Sequence, residues 1–232
     1  LGTGTSQGVP VIGCTCSVCT SSNQKDKRLR TSAFVEYQGV NLLIDCGPDF
    51  RSQMLANNLD NVDAVLFTHE HRDHIAGIDD LRAINFLHNK SLPLYCTKRV
   101  AGAITEAFTY CFQENKYPGA PVLELKKMEV EPWLIQEQLI EPLEVMHGNW
   151  PVLGFKFGNM AYITDANQIL PSTMSKLHNL DVLVLNALRK EPHHSHFTLQ
   201  EALDLHQKLQ PKKLYLTHLS HLMGNYSALQ KE

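Results

Sequence analysis

No stretch of the 232 residues approaches the roughly 18 consecutive apolar positions that a membrane-spanning helix needs. No cationic, hydrophobic, small-residue leader stands at the N-terminus, so the expectation is a soluble cytoplasmic protein. Basic charge is scarce as well: 21 Lys and Arg stand against 24 Asp and Glu, a net charge of −3. That balance lacks the broad cationic surface an extended nucleic acid requires, so any bound phosphate is expected to be small. Neither a Gly/Ser-rich linker nor a composition break divides the chain, and 43% hydrophobic residues suffice for one substantial core. A single domain over residues 1–232 is expected. An initiator methionine is missing, Leu1 reads as part of a strand, and both termini read as trimmed.

What is present is a regular alternation of strand-like runs, turns and helical patterns, which makes the fold class α/β. Strands are expected at Ala33–Tyr37, Val40–Ile44, Ala64–Phe67, Leu92–Cys96, Gly154–Phe157, Ala161–Ile163, Val182–Leu185 and Lys213–Leu216. Helices are expected near Gly77–Leu87, Arg99–Phe112 and Leu199–Leu209; in the first, Ile78, Leu81, Ile84 and Leu87 recur at helical spacing to face a sheet. Residues 99–133 read only as a helix followed by an irregular Pro-containing insertion. Two segments echo each other, Val65-Leu66-Phe67-Thr68-His69 and Leu214-Tyr215-Leu216-Thr217-His218. Both are apolar strands ending in Thr-His, as in a fold of two similar halves.

Histidine is the unusual count, 12 residues in a few tight groups. His69-Glu70-His71-Arg72-Asp73-His74 places several metal-ligand types just past a strand end, where alternate side chains reach different centres. His69 and His71 then serve one metal, Asp73 and His74 another, and imidazole with carboxylate suits zinc, iron or manganese. Three further positions lie where a strand gives way to a loop: His147, Asp165 and His218. Taken alone each is an ordinary turn residue; taken in order they turn a metal loop into a two-metal cage.

The six cysteines divide in two. Cys46, Cys96 and Cys111 are scattered through apolar segments and read as core. Cys14, Cys16 and Cys19 form a knuckle of three thiolates, three corners of a tetrahedral structural zinc, with His221 the best fourth donor.

The His69–His74 loop followed by His147, Asp165 and His218 resembles the metallo-β-lactamase superfamily. The resemblance implies a metallo-β-lactamase αβ/βα four-layer sandwich. It also implies that Asp165 bridges two divalent ions, with His147 joining His69 and His71, and His218 joining Asp73 and His74. An Asp at the position of Asp45 supports the metal loop from behind. Two divalent ions offset by Asp73, Asp165 and a bridging hydroxide leave about one positive charge, which favours an anionic phosphoester. The start GTG-SQGVP, the CxCxxC loop and the closing THLSH are similar to the phosphoribosyl cyclic-phosphate phosphodiesterases. That subfamily implies a structural zinc on Cys14, Cys16, Cys19 and His221 and a dinuclear centre often active with manganese. It further singles out His196 as the residue that contacts phosphate and protonates the leaving oxygen. His196 and Asp73 are the candidate catalytic residues; His193 and His194 read as surface histidines.

The expected function is a dinuclear phosphodiesterase acting on a small cyclic or nucleotide-like phosphodiester through the metal-bridging hydroxide. Zinc or manganese occupies the active site, with iron open, and one further zinc is structural. The partners expected are a small phosphodiester, no membrane and no nucleic acid, with a homodimer left open. Two alternatives stand beside this: a ribonuclease Z type tRNA-processing endonuclease, and a redox or cofactor-pathway member similar to the pyrroloquinoline-quinone biosynthesis protein. Backbone amides at Ser6, Gln7 and Gly8 are expected to help line the pocket, and Arg72 to reach a phosphate or pair with a carboxylate.

Overall fold

The computed structural model describes residues 1–229. Its strands are β1 (Ala33–Tyr37), β2 (Val40–Ile44), β3 (Ala64–Leu66), β4 (Leu92–Cys96), β5 (Leu123–Lys127), β6 (Trp133–Ile135), β7 (Gln138–His147), β8 (Trp150–Phe157), β9 (Met160–Ile163), β10 (Gln168–Ile169), β11 (Val182–Asn186) and β12 (Lys213–Thr217). Its α-helices are α1 (Phe50–Ala56), α2 (Arg72–Ile75), α3 (Arg82–His88), α4 (Lys98–Ala107), α5 (Pro171–Met174), α6 (Leu199–Leu209) and α7 (Tyr226–Leu229). Among the described residues no helix is long and apolar enough to cross a membrane.

The described residues form two compact units, one of Ser32–Leu139 with Leu1, the other of Gly2–Thr31 with residues 140–229. In the first, the sheet order is β1-β2-β3-β4-β5, antiparallel at β1/β2 and parallel from β2 to β5. Leu43, Val65, Phe67, Leu92 and Leu94 are buried in one cluster with Phe50, Met54, Val100 and Ile104 of the helices. Each such side chain removed from water contributes about 1.5–3 kcal/mol. The second unit has the order β10-β7-β8-β9-β11-β12, with parallel pairs only at β9/β11 and β11/β12. Leu143, Val145, Ile163, Leu183 and Leu185 fill its core.

The helix Leu199–Leu209 forms within its expected bounds. Thr198 caps it, accepting from the Glu201 amide while the Glu201 carboxylate accepts from the Thr198 amide, a reciprocal capping box. The helix expected at Gly77–Leu87 divides into a 3₁₀ turn, Ile78–Leu81, and α3. Ile78, Leu81 and Ile84 are buried as expected, but Leu87 is 63% exposed. Three residues in an α-helix advance about 300°, so steps of three drift off the buried face, and by Leu87 the drift carries the side chain into solvent. The segment read as an irregular insertion contains β5, paired in register with β4; its Glu124-Leu125-Lys126-Lys127 composition hid a sheet-edge strand.

Candidate metal centre

In the first unit the histidine loop is built around Asp45, a fully buried carboxylate that leaves β2 in the left-handed conformation at φ 61°. Such backbone costs about 1 kcal/mol or more for a non-glycine residue and is kept where the side chain must be aimed. Asp45 accepts from the Thr68 amide (2.8 Å), the Thr68 hydroxyl (2.8 Å) and His74 Nδ1 (2.7 Å). Burial pushes its carboxyl up, against the pull of His74 and Thr68. The hydroxyl proton of Thr68 is committed to Asp45, so its oxygen accepts from His69 Nδ1, 2.9 Å away. The consequence is that both imidazoles carry their proton on Nδ1. Nε2 of each is then unprotonated, the form in which histidine binds metals.

The lone pair of His69 Nε2 lies 3.0 Å from His71 Nδ1, and that of His74 Nε2 lies 3.3 Å from a carboxylate oxygen of Asp73. Electron-rich atoms at these separations are held favourably by a shared cation or proton. Below the loop Gly77 is obligatory: a Cβ there would come within 2.0 Å of the Gly47 carbonyl oxygen. Gly77 N–H donates to Cys46 O and Cys46 N–H to His74 O, which pins the C-terminal side of the loop to the end of β2.

In the second unit three strands deliver ligands. His147 ends β7, and its Nδ1 can only donate to the Ser195 carbonyl at 2.8 Å, so in the neutral ring Nε2 is again the unprotonated nitrogen. Asp165 follows β9 at φ 55° and His218 follows β12 at φ 55°. Asp165 accepts from the Thr164 hydroxyl at 2.7 Å and sets its other oxygen 3.1 Å from His218 Nε2. Ligand atoms of Asp165 lie within 4.8 Å of those of both His147 and His218, as a carboxylate shared by two ions requires. The buried Asn186 side chain donates to Ala166 O and accepts from Ala166 N–H, fixing the turn behind Asp165. No sequence signal marked Asn186 or Ser195; their contributions are a turn clamp and a backbone carbonyl.

His196 is buried, its ring stacked on His218 at 4.7 Å and tilted against His147 at 4.7 Å. Burial, with the nearby His218, brings its pKa down to about 3, so it is neutral at physiological pH. Its Nδ1 has no hydrogen-bond partner among the described residues. His194 is exposed as expected, but His193 is not a plain surface histidine: it is half-buried and 5.2 Å from His196. The chain turns inward there to bury Ser195, His196 and Phe197, drawing the preceding ring with it. Arg72 is exposed. The expectation for the Ser6-Gln7-Gly8 amides is corrected at Gly8, whose N–H donates to Thr5 O within the turn.

The cysteine knuckle also lies in the second unit. The Sγ atoms of Cys14, Cys16 and Cys19 are 3.3, 3.4 and 3.5 Å from His221 Nδ1. Tetrahedral zinc with its usual bond lengths sets sulfur and nitrogen about 3.6 Å apart, so the four donors fit one ion. Val11 N–H donates to Cys19 Sγ and Cys19 N–H to Cys16 Sγ. The latter, with His221, pulls the Cys16 thiol down to about 6. All six cysteines are free thiols.

Residues 40–219 match the family described as the beta-lactamase superfamily domain. An octanoyltransferase of Porphyromonas gingivalis is 42% identical over 224 residues, 95% of this chain and 45% of its own length, so this chain spans less than half of that relative. A ribonuclease Z of Methanopyrus kandleri is 38% identical over 71 residues, 29% of this chain and 25% of its own. The crystal structure of a new diphosphatase from the PhnP family has 37% identity and a TM-score of 0.92, covering 100% of this chain and 89% of that one. The α/β fold is thus the metallo-β-lactamase fold, and the chain belongs to the metallo-β-lactamase superfamily of metal-dependent hydrolases and, within it, to the PhnP family.

Proposed function

We propose that the chain is a dinuclear metal-dependent phosphodiesterase hydrolysing a small cyclic or nucleotide-like phosphodiester, and that residues 1–232 act as one functional domain. The observation that carries this reading is the set of fixed tautomers: His69, His74 and His147 each give their Nδ1 proton to a buried acceptor, which leaves Nε2 as the unprotonated, ligating nitrogen. In this reading one ion takes His69, His71, His147 and Asp165, and the other takes Asp73, His74, Asp165 and His218. A third ion, zinc, takes Cys14, Cys16, Cys19 and His221. Two divalent ions, zinc or manganese, would supply a water acidified toward a pKa of ~7 and screen the charge that develops on phosphorus oxygens.

The chain's own residues do the rest. Asp45 and the Ser195 carbonyl hold the imidazoles in their ligating tautomer. Asp165 and Asp73 keep the cleft's charge low enough for an anionic ester to leave after reaction. His196, buried and neutral, would turn its ring N–H toward the departing oxygen and stabilise, by that hydrogen bond, the negative charge that oxygen takes up as the P–O bond breaks. Acyl transfer is outside the proposal: this chain corresponds to 45% of the octanoyltransferase's length. We further propose a cytoplasmic protein with a small-molecule substrate.

The test is turnover of a panel of cyclic and linear phosphodiesters, and of a tRNA precursor, by metal-depleted protein resupplied with manganese or zinc. Cleavage of small diesters with weak salt dependence is the expected result. Cleavage of tRNA alone, with affinity falling steeply with salt, overturns it in favour of a ribonuclease Z role.

A further inference from the structure

Because β2 to β5 run parallel, their carboxyl ends lie at one end of the first unit's sheet. Asp45 and the histidine loop follow β2 and β3 there. Beyond β4 and β5 lies a cavity of about 520 Å³ whose lining includes Tyr95, Lys126, Lys127, Met128 and Trp133, within the range of small-molecule sites. Tyr95 and Lys126 are partners in the β4/β5 register. The Trp133 indole stacks near the Tyr95 ring, centroids 6.0 Å apart and planes 22° apart. The wall is tied to the histidine loop: Phe67 N–H donates to Tyr95 O at 2.9 Å, and His69 is two residues further on. From β3 to β5 is two strand spacings, about 10 Å, comparable with the reach of a nucleotide from phosphate to base.

The chemistry of the lining selects its occupant. Near-parallel aromatic rings offer a flat face to another π system, and base stacking on such a face is largely indifferent to sequence. Lys126 and Lys127 add cationic groups beside that face, Lys126 paired with Glu124. An alkyl chain fits poorly, since Lys126, Lys127, Glu129 and Glu131 would lose water against it without gaining a partner.

We propose that this cavity is a subsite for the nucleobase of a nucleotide-like substrate, the base stacking on Trp133 and the phosphate reaching back toward the histidine loop. It rests on the phosphodiesterase reading only for what the subsite serves. Trp133 is one of two tryptophans in the chain, so binding is read directly by emission. In the zinc-loaded protein, AMP is expected to quench tryptophan fluorescence saturably and ribose 5-phosphate to leave it unchanged. In Trp133→Leu, where Trp150 is the remaining indole, AMP is expected to produce no quench. Equal responses to both ligands, no response to AMP, or a quench that survives in Trp133→Leu would overturn the subsite. In the manganese-loaded enzyme, Trp133→Leu is expected to raise KM about tenfold for a base-bearing cyclic phosphate relative to a base-free ribose cyclic phosphate. An unchanged ratio overturns the subsite while leaving the phosphodiesterase reading intact. AMP binding without hydrolysis of either ester supports the subsite and overturns the phosphodiesterase reading.

Discussion

The histidine–aspartate set and the cysteine knuckle are both ligand clusters, yet they are built on opposite plans. His69, His74, His147, Asp165 and His218 are buried, and each is fixed by a hydrogen bond or ion pair with a buried neighbour or with the Ser195 carbonyl. The three cysteines and His221 are only half-buried, sit on an irregular loop and a 3₁₀ turn, and hold one another at 3.3–3.5 Å. A cluster held by its surroundings keeps its geometry without an ion; a cluster held by its own members depends on the ion for that geometry. The first plan serves chemistry, which needs preorganised ligands, and the second serves stability, where ion binding and local folding are coupled.

That contrast can be broken at several points. Asp165→Ala should lower turnover by about a thousandfold or more, since it removes a ligand proposed for both ions, while the circular dichroism spectrum and melting temperature stay near wild type. A variant that keeps turnover contradicts the shared carboxylate. Asp45→Asn should weaken active-site metal affinity by about 10–100-fold, because the acceptor that fixes the Nδ1 proton of His74 is lost. The zinc of the knuckle should be retained, and a competitive chelator titration reads both. Cys16→Ser should do the reverse, lowering the melting temperature by about 5–10 °C with kcat little changed at a temperature where the variant is folded. Thr198→Ala, which strips the cap from α6 just after His196, should cost about 1 kcal/mol in denaturant unfolding. An effect on kcat larger than on stability would show that the cap also positions the histidine turn.

The candidate ligand residues were legible because metal ligation demands particular residue types at strand ends, and strand ends are marked by apolar runs: Val65–Phe67 before His69, Leu214–Leu216 before His218. The helix Leu199–Leu209 was legible for a similar reason, its cap and its apolar spacing agreeing. What escaped lies in residues whose role is set by distant neighbours. Asn186 clamps the Asp165 turn from another strand, and the Ser195 carbonyl orients His147 from 48 positions away. Backbone groups carry no residue signature. The strand β5 escaped because Glu124, Lys126 and Lys127 make an edge strand look like solvated loop. Leu87 was misplaced because steps of three stay on one face only in a 3₁₀ turn and drift off it once the chain continues as the α-helix Arg82–His88.

Elemental analysis of the metal-loaded chain and two variants tests the central claim most directly. Wild type should hold about three ions per chain, Cys16→Ser about two, and the His69→Ala/His74→Ala double variant about one, retained in the knuckle. If the wild type holds no more than one ion, or if both variants lose the same ions, two separately built metal sites do not exist and the proposed hydrolysis has no centre to act from.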